Sequence, residues 1–360
     1  MLSACHPPTT EPLNGPPPVA QTSTPSAAAA GDPKRTAVLD SFLAFREAGS
    51  VAEPTVVFLH GNPLSSRVWH GVVPIVAQRA RCLSPDLIGM GDSGKPDIAY
   101  RYADHARYLD VWFDAQSLRN VVLVGYDWGG VLAMDWAVRH PDRVRGVVVF
   151  ETFLRPLEWS DWSPRGAELF RALRTPAVGE KMVLEENGFL ARSLSNGIRR
   201  PLAQDELAAY YAPYPTPASR RPLLQWPREI PIEGQPADVT RVVSRNGEWL
   251  ASSDVPKLLL AFAAPEGLHP SPTGSPQLIE WARGHARGLE IVELPTAGHH
   301  APEDRPEEIG GAIVAWMERT GATSAATGAS HEDPSSSVDS SLGSTGGLER
   351  RLAREPCVLD

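Results

Sequence analysis

The chain has 360 residues, 42% of them hydrophobic and 21% charged, so it carries apolar material for a sizeable core in one large domain or two ordinary ones. Its 34 basic and 43 acidic side chains leave a formal charge of −9, which argues against a nucleic-acid-binding surface. No run approaches the roughly 18 consecutive apolar residues of a membrane-spanning helix. Cys5, Cys82 and Cys357 lie too far apart for a disulfide framework or a zinc-ligand set.

Residues 1–35 are rich in Pro, Ala, Thr and Ser without apolar periodicity, and read as a disordered extension. Within it, Leu2-Ser3-Ala4-Cys5 has the form of a bacterial lipidation site. A leader needs a basic stretch and an apolar stretch of about seven residues or more, and only four residues are written before Cys5. The expectation is a cytoplasmic protein, with export or lipid anchoring the alternative if the true start lies upstream of Met1.

From about residue 36 to 319 the chain reads as globular. The run TVVFL at 55–59 predicts a strand, followed by the loop His60-Gly61-Asn62-Pro63. Gly89-Met90-Gly91-Asp92-Ser93-Gly94 has some of the glycines of a dinucleotide fingerprint, but no NAD site is expected. Helical spacing covers 104–117, then VVLV at 121–124 predicts a second buried strand. A helix over 131–139 stops at His140-Pro141, where proline cannot continue it. GVVVF at 146–150 is a third strand; KLLLAF at 257–262 and LEIVEL at 289–294 complete the set, with a closing helix over 306–320. These runs are continuous rather than alternating, as in parallel sheets covered on both faces. Strands alternating with helices give an α/β class, broken between 150 and 257 by an insertion that reads as a mainly helical cap over about 154–230. Residues 320–360, Ser- and Gly-rich, read as a flexible tail.

Gly125-Tyr126-Asp127-Trp128-Gly129 stands between a predicted strand and a predicted helix. This is the nucleophile elbow of an α/β-hydrolase sheet, in which a tight turn between small residues lifts the middle side chain above the strands. Here that side chain is a carboxylate. Asp127 is ionised at neutral pH and needs no base in order to attack, which suits displacement of a leaving group from a saturated carbon and leaves an ester to be hydrolysed. In this fold, backbone N–H groups of the loop after the 55–59 strand and of the residue after the nucleophile form an oxyanion hole, here Asn62 and Trp128. Both also carry side-chain N–H donors fit to receive a departing anion. Ala297-Gly298-His299-His300 follows the last strand and supplies a base. His299, directly after glycine and four residues before Glu303, is the choice over His300. Glu151 ends an apolar strand 24 residues after Asp127, an expensive place for a charge unless it is paired, and is the expected partner of the base. Glu266, in the loop after 257–262, is the rival acid.

With those residues in place, the sequence resembles the haloalkane dehalogenases over about 40–319. VVFLHGNPLSSRVW, SPDLIGMGDSGKPD, VVLVGYDWGG, FETFLRPLEW and RRPLLQWPREIPIEGQPADV carry the resemblance, in that order. It implies Asp127 as nucleophile, Asn62 and Trp128 as halide binders, His299 as base, Glu151 as acid, and Phe170, Phe189 and Leu268 as pocket walls. The implied reactants are a small halogenated alkane, water and a halide ion, with no cofactor or metal. Tyr126 departs from the family's usual histidine, His300 and Pro302 from its aromatic and Gln after the base, and Tyr211-Ala212-Pro213-Tyr214 from its usual cap run; His300 is expected on the tunnel wall. The alternatives are an epoxide hydrolase, with Tyr210, Tyr211 or Tyr214 as acids, and a degenerate hydrolase fold that only binds.

Overall fold

A computed structural model describes residues 32–50, 54–263 and 271–322. Eight strands form one sheet: β1 (Lys34–Val38), β2 (Ser41–Ala48), β3 (Thr55–Leu59), β4 (Arg81–Pro85), β5 (Val121–Tyr126), β6 (Val144–Phe150), β7 (Lys257–Phe262) and β8 (Leu289–Leu294). Their order is β1-β2-β4-β3-β5-β6-β7-β8. β2 pairs antiparallel with both β1 and β4, and the remaining neighbours run parallel. This is an α/β-hydrolase sheet.

All five strands expected from apolar runs are present. β3 and β5 are buried along their whole length, because helices cover both faces of the sheet there. β1, β2 and β4 gave no such run. β1 is a largely exposed edge, KRTAV, and β2 mixes Arg and Glu into its half-buried end. β4, RCLSP, is short and closes on a proline. β1 also begins at Lys34, inside the segment assigned to the N-terminal extension. The rest of that extension and the residues after 322, with the readings placed on them, lie outside the described residues, as do Glu266 and Leu268.

The helix expected over 131–139 begins earlier, at Trp128, directly after β5, and runs to Arg139. The helices Tyr102–Ala115 and Pro306–Arg319 stand where the spacing put them. Between β6 and β7 come Pro164–Arg174, Gly188–Gly197, Gln204–Tyr211 and Arg221–Glu229. Ala237–Ser252 follows and packs against Trp128–Arg139, where Asn246 Nδ2 donates to Val131 O at 3.2 Å and Arg245 pairs with Asp135. No helix among the described residues is long and apolar enough to cross a membrane.

Candidate active site

The carboxyl ends of β3, β5, β6 and β8 meet at one end of the sheet, where an open α/β sheet leaves its crevice. β5 delivers Asp127. Its backbone stands at φ 50° and ψ −129°, outside the comfortable regions for a residue with a side chain, at a cost of about 1–3 kcal/mol. The surroundings hold it there. Its N–H donates to Glu151 O at 2.9 Å, and its carbonyl accepts from Gly130 N at 3.1 Å and Thr152 Oγ1 at 2.6 Å. The flanking glycines follow from close approach: a Cβ on Gly125 would sit 2.4 Å from Gly129 O, and one on Gly129 would sit 2.0 Å from Leu59 O.

β3 delivers the loop opposite. The Asn62 backbone N–H donates to Asp127 Oδ1 at 2.7 Å. Gly61 makes that approach possible, since a Cβ there would meet the same oxygen at 2.3 Å. The loop is anchored by the buried His60, whose Nε2 accepts from Leu87 N at 3.0 Å and whose Nδ1 lies 2.9 Å from Gly61 O. Burial keeps that imidazole neutral by lowering its pKa. The Asn62 side chain is less satisfied: Nδ2 is 3.4 Å from Leu223 O, and the buried Oδ1 has no partner among the described residues. Trp128 stacks on Trp226 at 4.6 Å and 28°, and Trp226 stacks on His105 at 4.1 Å and 23°. The glycine-rich segment 89–94 backs this stack, with Met90 Sδ 3.3 Å from Trp226 Nε1.

β6 and β8 complete a line of three groups. His299 Nδ1 lies 2.9 Å from Glu151 Oε2, and its Nε2 lies 3.6 Å from Asp127 Oδ2. Thr273 Oγ1 donates to the same Glu151 oxygen at 3.2 Å. Gly274 packs against that carboxylate, where a Cβ would come within 1.7 Å of Oε1. Burial works against charge on His299, but hydrogen bonds and charge from Asp127 and Glu151 outweigh it and raise the imidazole to about 10. The loop that carries His299 is tied down by Asp304, whose carboxylate accepts from Gly298 N at 2.7 Å and from Arg199 N at 2.8 Å.

The two adjacent histidines have opposite environments, and one expectation is corrected. His300 does not line the cavity. Its ring is fully buried, turned into the core between Tyr126 and Ser193, with Nδ1 3.3 Å from Tyr126 Oη and Nε2 2.8 Å from Ser193 Oγ. The turn follows from backbone bonding. His300 N donates to Gly197 O at 2.8 Å, and Gly197 leaves room for the imidazole, where a Cβ would lie 2.6 Å from Cδ2. Burial, then the neighbouring His299, push the His300 pKa well down.

A cavity of about 220 Å³ opens over these strand ends. Asn62, Asp127, Trp128 and His299 form its floor, and Phe170 and Phe189 line it. Trp162, Leu169, Ser193 and Ile230 line it too, and were not foreseen. Helical spacing carries a signal for one of them: Ser193 stands four residues after Phe189 on the same helix, hence on the same face. Among the described residues, none of the three tyrosines considered as epoxide acids lines the cavity. The buried Tyr210 instead hydrogen-bonds Glu303, and Tyr214 is buried.

The chain is similar to known proteins. The family model of the α/β hydrolase fold matches residues 54–215. A haloalkane dehalogenase of Mesorhizobium japonicum is 47% identical over 79% of this chain and 91% of its own. Among solved structures, a putative ancestral haloalkane dehalogenase aligns with a TM-score of 0.76 at 43% identity, over 80% of this chain and 99% of its own. The haloalkane dehalogenase of Bradyrhizobium elkani aligns equally well, with a TM-score of 0.76 at 42% identity over 81% and 99%.

Proposed function

The chain belongs to the haloalkane dehalogenase family, and from that membership we propose that it hydrolyses small haloalkanes to alcohol, halide and a proton through an ester on Asp127. One observation carries the reading. The side chain at the elbow is a carboxylate, with one oxygen held by the Asn62 backbone and the other facing His299, on the floor of a cavity with a largely apolar wall. A carboxylate so placed serves as nucleophile without first losing a proton.

In the first step Asp127 Oδ2 attacks the carbon bearing the halogen from behind. The carbon–halogen bond breaks and its electron pair leaves with the halide. Asn62 Nδ2 and Trp128 Nε1 receive that anion, the indole held in plane by its stack on Trp226. Asp127 Oδ1 stays on the Asn62 backbone N–H, where it later becomes the oxyanion.

The second step needs a base. His299 takes a proton from water and hydroxide adds to the ester carbonyl; the adduct expels the alkoxide, which leaves as alcohol with the proton of the imidazolium, and the Asp127 carboxyl so restored gives up its proton to solvent. Glu151 balances the imidazolium. Esterification itself prepares this step. Asp127 is one of the two carboxylates that raise His299 to about 10, and it loses its charge when alkylated. The histidine therefore becomes a neutral base more readily in the intermediate than in the free enzyme.

The division that goes with this reading is a catalytic body from Lys34, where β1 begins, to about 319, with its cap at about 154–230, in a cytoplasmic setting to be tested by fractionation. Function is tested by halide release from 1-bromobutane with an aromatic epoxide run alongside. Bromide release with an inert epoxide is the expected result. Epoxide opening without halide release overturns it.

A further inference from the structure

A file of hydrogen bonds runs from behind the nucleophile to the cavity wall. Tyr126 precedes Asp127 and is fully buried. Its hydroxyl lies 3.3 Å from His300 Nδ1, and His300 Nε2 lies 2.8 Å from Ser193 Oγ. Ser193 stands on the helix Gly188–Gly197 and lines the cavity with Phe189, one turn earlier.

The direction of the protons along this file follows from what each group has to bond with. The Tyr126 hydroxyl faces the Gly61 backbone N–H, which can only donate, and His300 Nδ1, which can accept. If Nδ1 carried the ring proton, the phenol's own proton would be buried without an acceptor, at a cost of about 1–3 kcal/mol. So the phenol donates and Nδ1 accepts. His300 is a neutral ring, since burial and the adjacent His299 both oppose a second proton. Its single proton then sits on Nε2 and points at Ser193 Oγ. The serine oxygen is an acceptor in that contact, which leaves its own O–H unspent. A serine in a helix ordinarily turns its hydroxyl back to the carbonyl four residues earlier, here Phe189. The hydrogen bond that the structure gives Ser193 Oγ is the one to His300.

We infer that Ser193 presents a hydrogen-bond donor to the cavity, held in that orientation by Tyr126 and His300, and that it selects haloalkanes carrying an ether or hydroxyl oxygen a few carbons from the halogen. Ser193 is the specificity-determining residue in this arrangement; His300 and Tyr126 are positioning residues that act through it. The inference rests on the dehalogenase reading and adds a polar preference to an otherwise mostly apolar wall. It also gives two of the departures from the family pattern, Tyr126 and His300, a shared purpose.

The test compares 1-bromo-3-methoxypropane with 1-bromopentane, which differ by an oxygen in place of one methylene. The quantity read is the ratio of kcat/KM for the ether to that for the alkane. Ser193→Ala is expected to lower this ratio roughly three- to tenfold, the scale of one neutral hydrogen bond. Ser193→Thr, which keeps the hydroxyl, retains it. His300→Phe and Tyr126→Phe lower the ratio in the same direction by less, because the hydroxyl then turns to the Phe189 carbonyl or to Nε2. A ratio unmoved in Ser193→Ala, with both substrates turned over, overturns the inference and leaves the dehalogenase reading intact. If the unmodified protein turns over neither bromide, the dehalogenase reading falls and this inference with it.

Discussion

Asp127, Glu151, Asn62 and His299 all stand a few residues beyond the carboxyl ends of strands, whereas Phe170, Phe189 and Ser193 stand on helices between β6 and β7. The two sets face one cavity but are placed by different physics. On the floor, position comes from backbone geometry. A turn that needs glycine at 125 and 129, and a loop that needs glycine at 61, leave each catalytic candidate one place to be. On the wall, position comes from packing: Phe170 leans on Trp162 with centroids 4.3 Å apart, and Phe189 is settled by a helix that docks onto the His299 loop. Substitutions on the floor should change whether the reaction proceeds; those on the wall should change which substrate it takes.

The largest expected effect sharpens that contrast most. Asp127→Ala removes the proposed attacking atom, and halide release from 1-bromobutane should fall at least about a thousandfold, as for other deleted nucleophiles. Residual turnover of a few per cent would remove Asp127 from the mechanism. Asp127→Asn is the weaker probe, because slow hydrolysis of the amide restores the carboxylate.

The two histidines are the next test, since one belongs to the floor and the other is turned away from the cavity. His299→Phe should release one equivalent of halide per site and stop, with the alkyl group retained on the peptide carrying Asp127. His300→Phe should keep turning over. If His300→Phe traps the ester and His299→Phe does not, the roles are reversed. The pH dependence follows the same division. On the proposed mechanism, carbon–halogen cleavage calls on no base. Ester hydrolysis needs neutral His299, so its rate should rise about tenfold per pH unit below the pKa of His299 in the intermediate, a value under the free enzyme's 10 or so. Stability follows the free enzyme instead. The His299 pKa is raised on folding, so the stabilisation from its charge is complete below about 6.5 and is lost as pH climbs through about 10. The difference in melting temperature between the unmodified protein and His299→Phe should narrow across that window.

How much was legible beforehand divides along the same line. The elbow, the choice of His299 and the candidacy of Glu151 came from short local patterns, because a strand followed by a strained turn leaves a signature within a few residues. β1 and β2 were missed because an edge pair is half solvated and breaks up its apolar run. His300 was misplaced because its direction is set by Gly197, about a hundred residues away in sequence. For Ser193 the signal is weak: its spacing from Phe189 puts both on one helix face, but its partner His300 lies about a hundred residues away in sequence.

The proposed halide donors come third in size. Asn62→Ala and Trp128→Phe should each slow carbon–halogen cleavage by about a hundred- to a thousandfold, if a donor to a departing halide is worth what an oxyanion donor is, roughly 2.7–4 kcal/mol. Trp128→Phe should also weaken the quenching of tryptophan fluorescence by added bromide. An unchanged cleavage rate and bromide affinity in the double variant would put the anion elsewhere.

The smallest effect is expected on the wall, at Phe170, and it is the one that most directly tests the comparison. Phe170 is partly buried, lines the cavity and rests on Trp162, and no hydrogen bond in the catalytic line runs through it. Phe170→Ala removes ring volume on the substrate side and leaves the Asp127–His299–Glu151 geometry to the strand ends. A wider apolar cavity admits a longer chain, and apolar pockets discriminate weakly, by about 1–3 kcal/mol per methylene at most. The expected outcome is therefore a change of about five- to tenfold in the ratio of kcat/KM for 1-bromohexane to that for 1-bromobutane, in favour of the longer chain, with the halide burst unchanged in amplitude. A loss of activity equal for both chain lengths would mean that the wall also positions the floor, and the separation between the two regions would not hold.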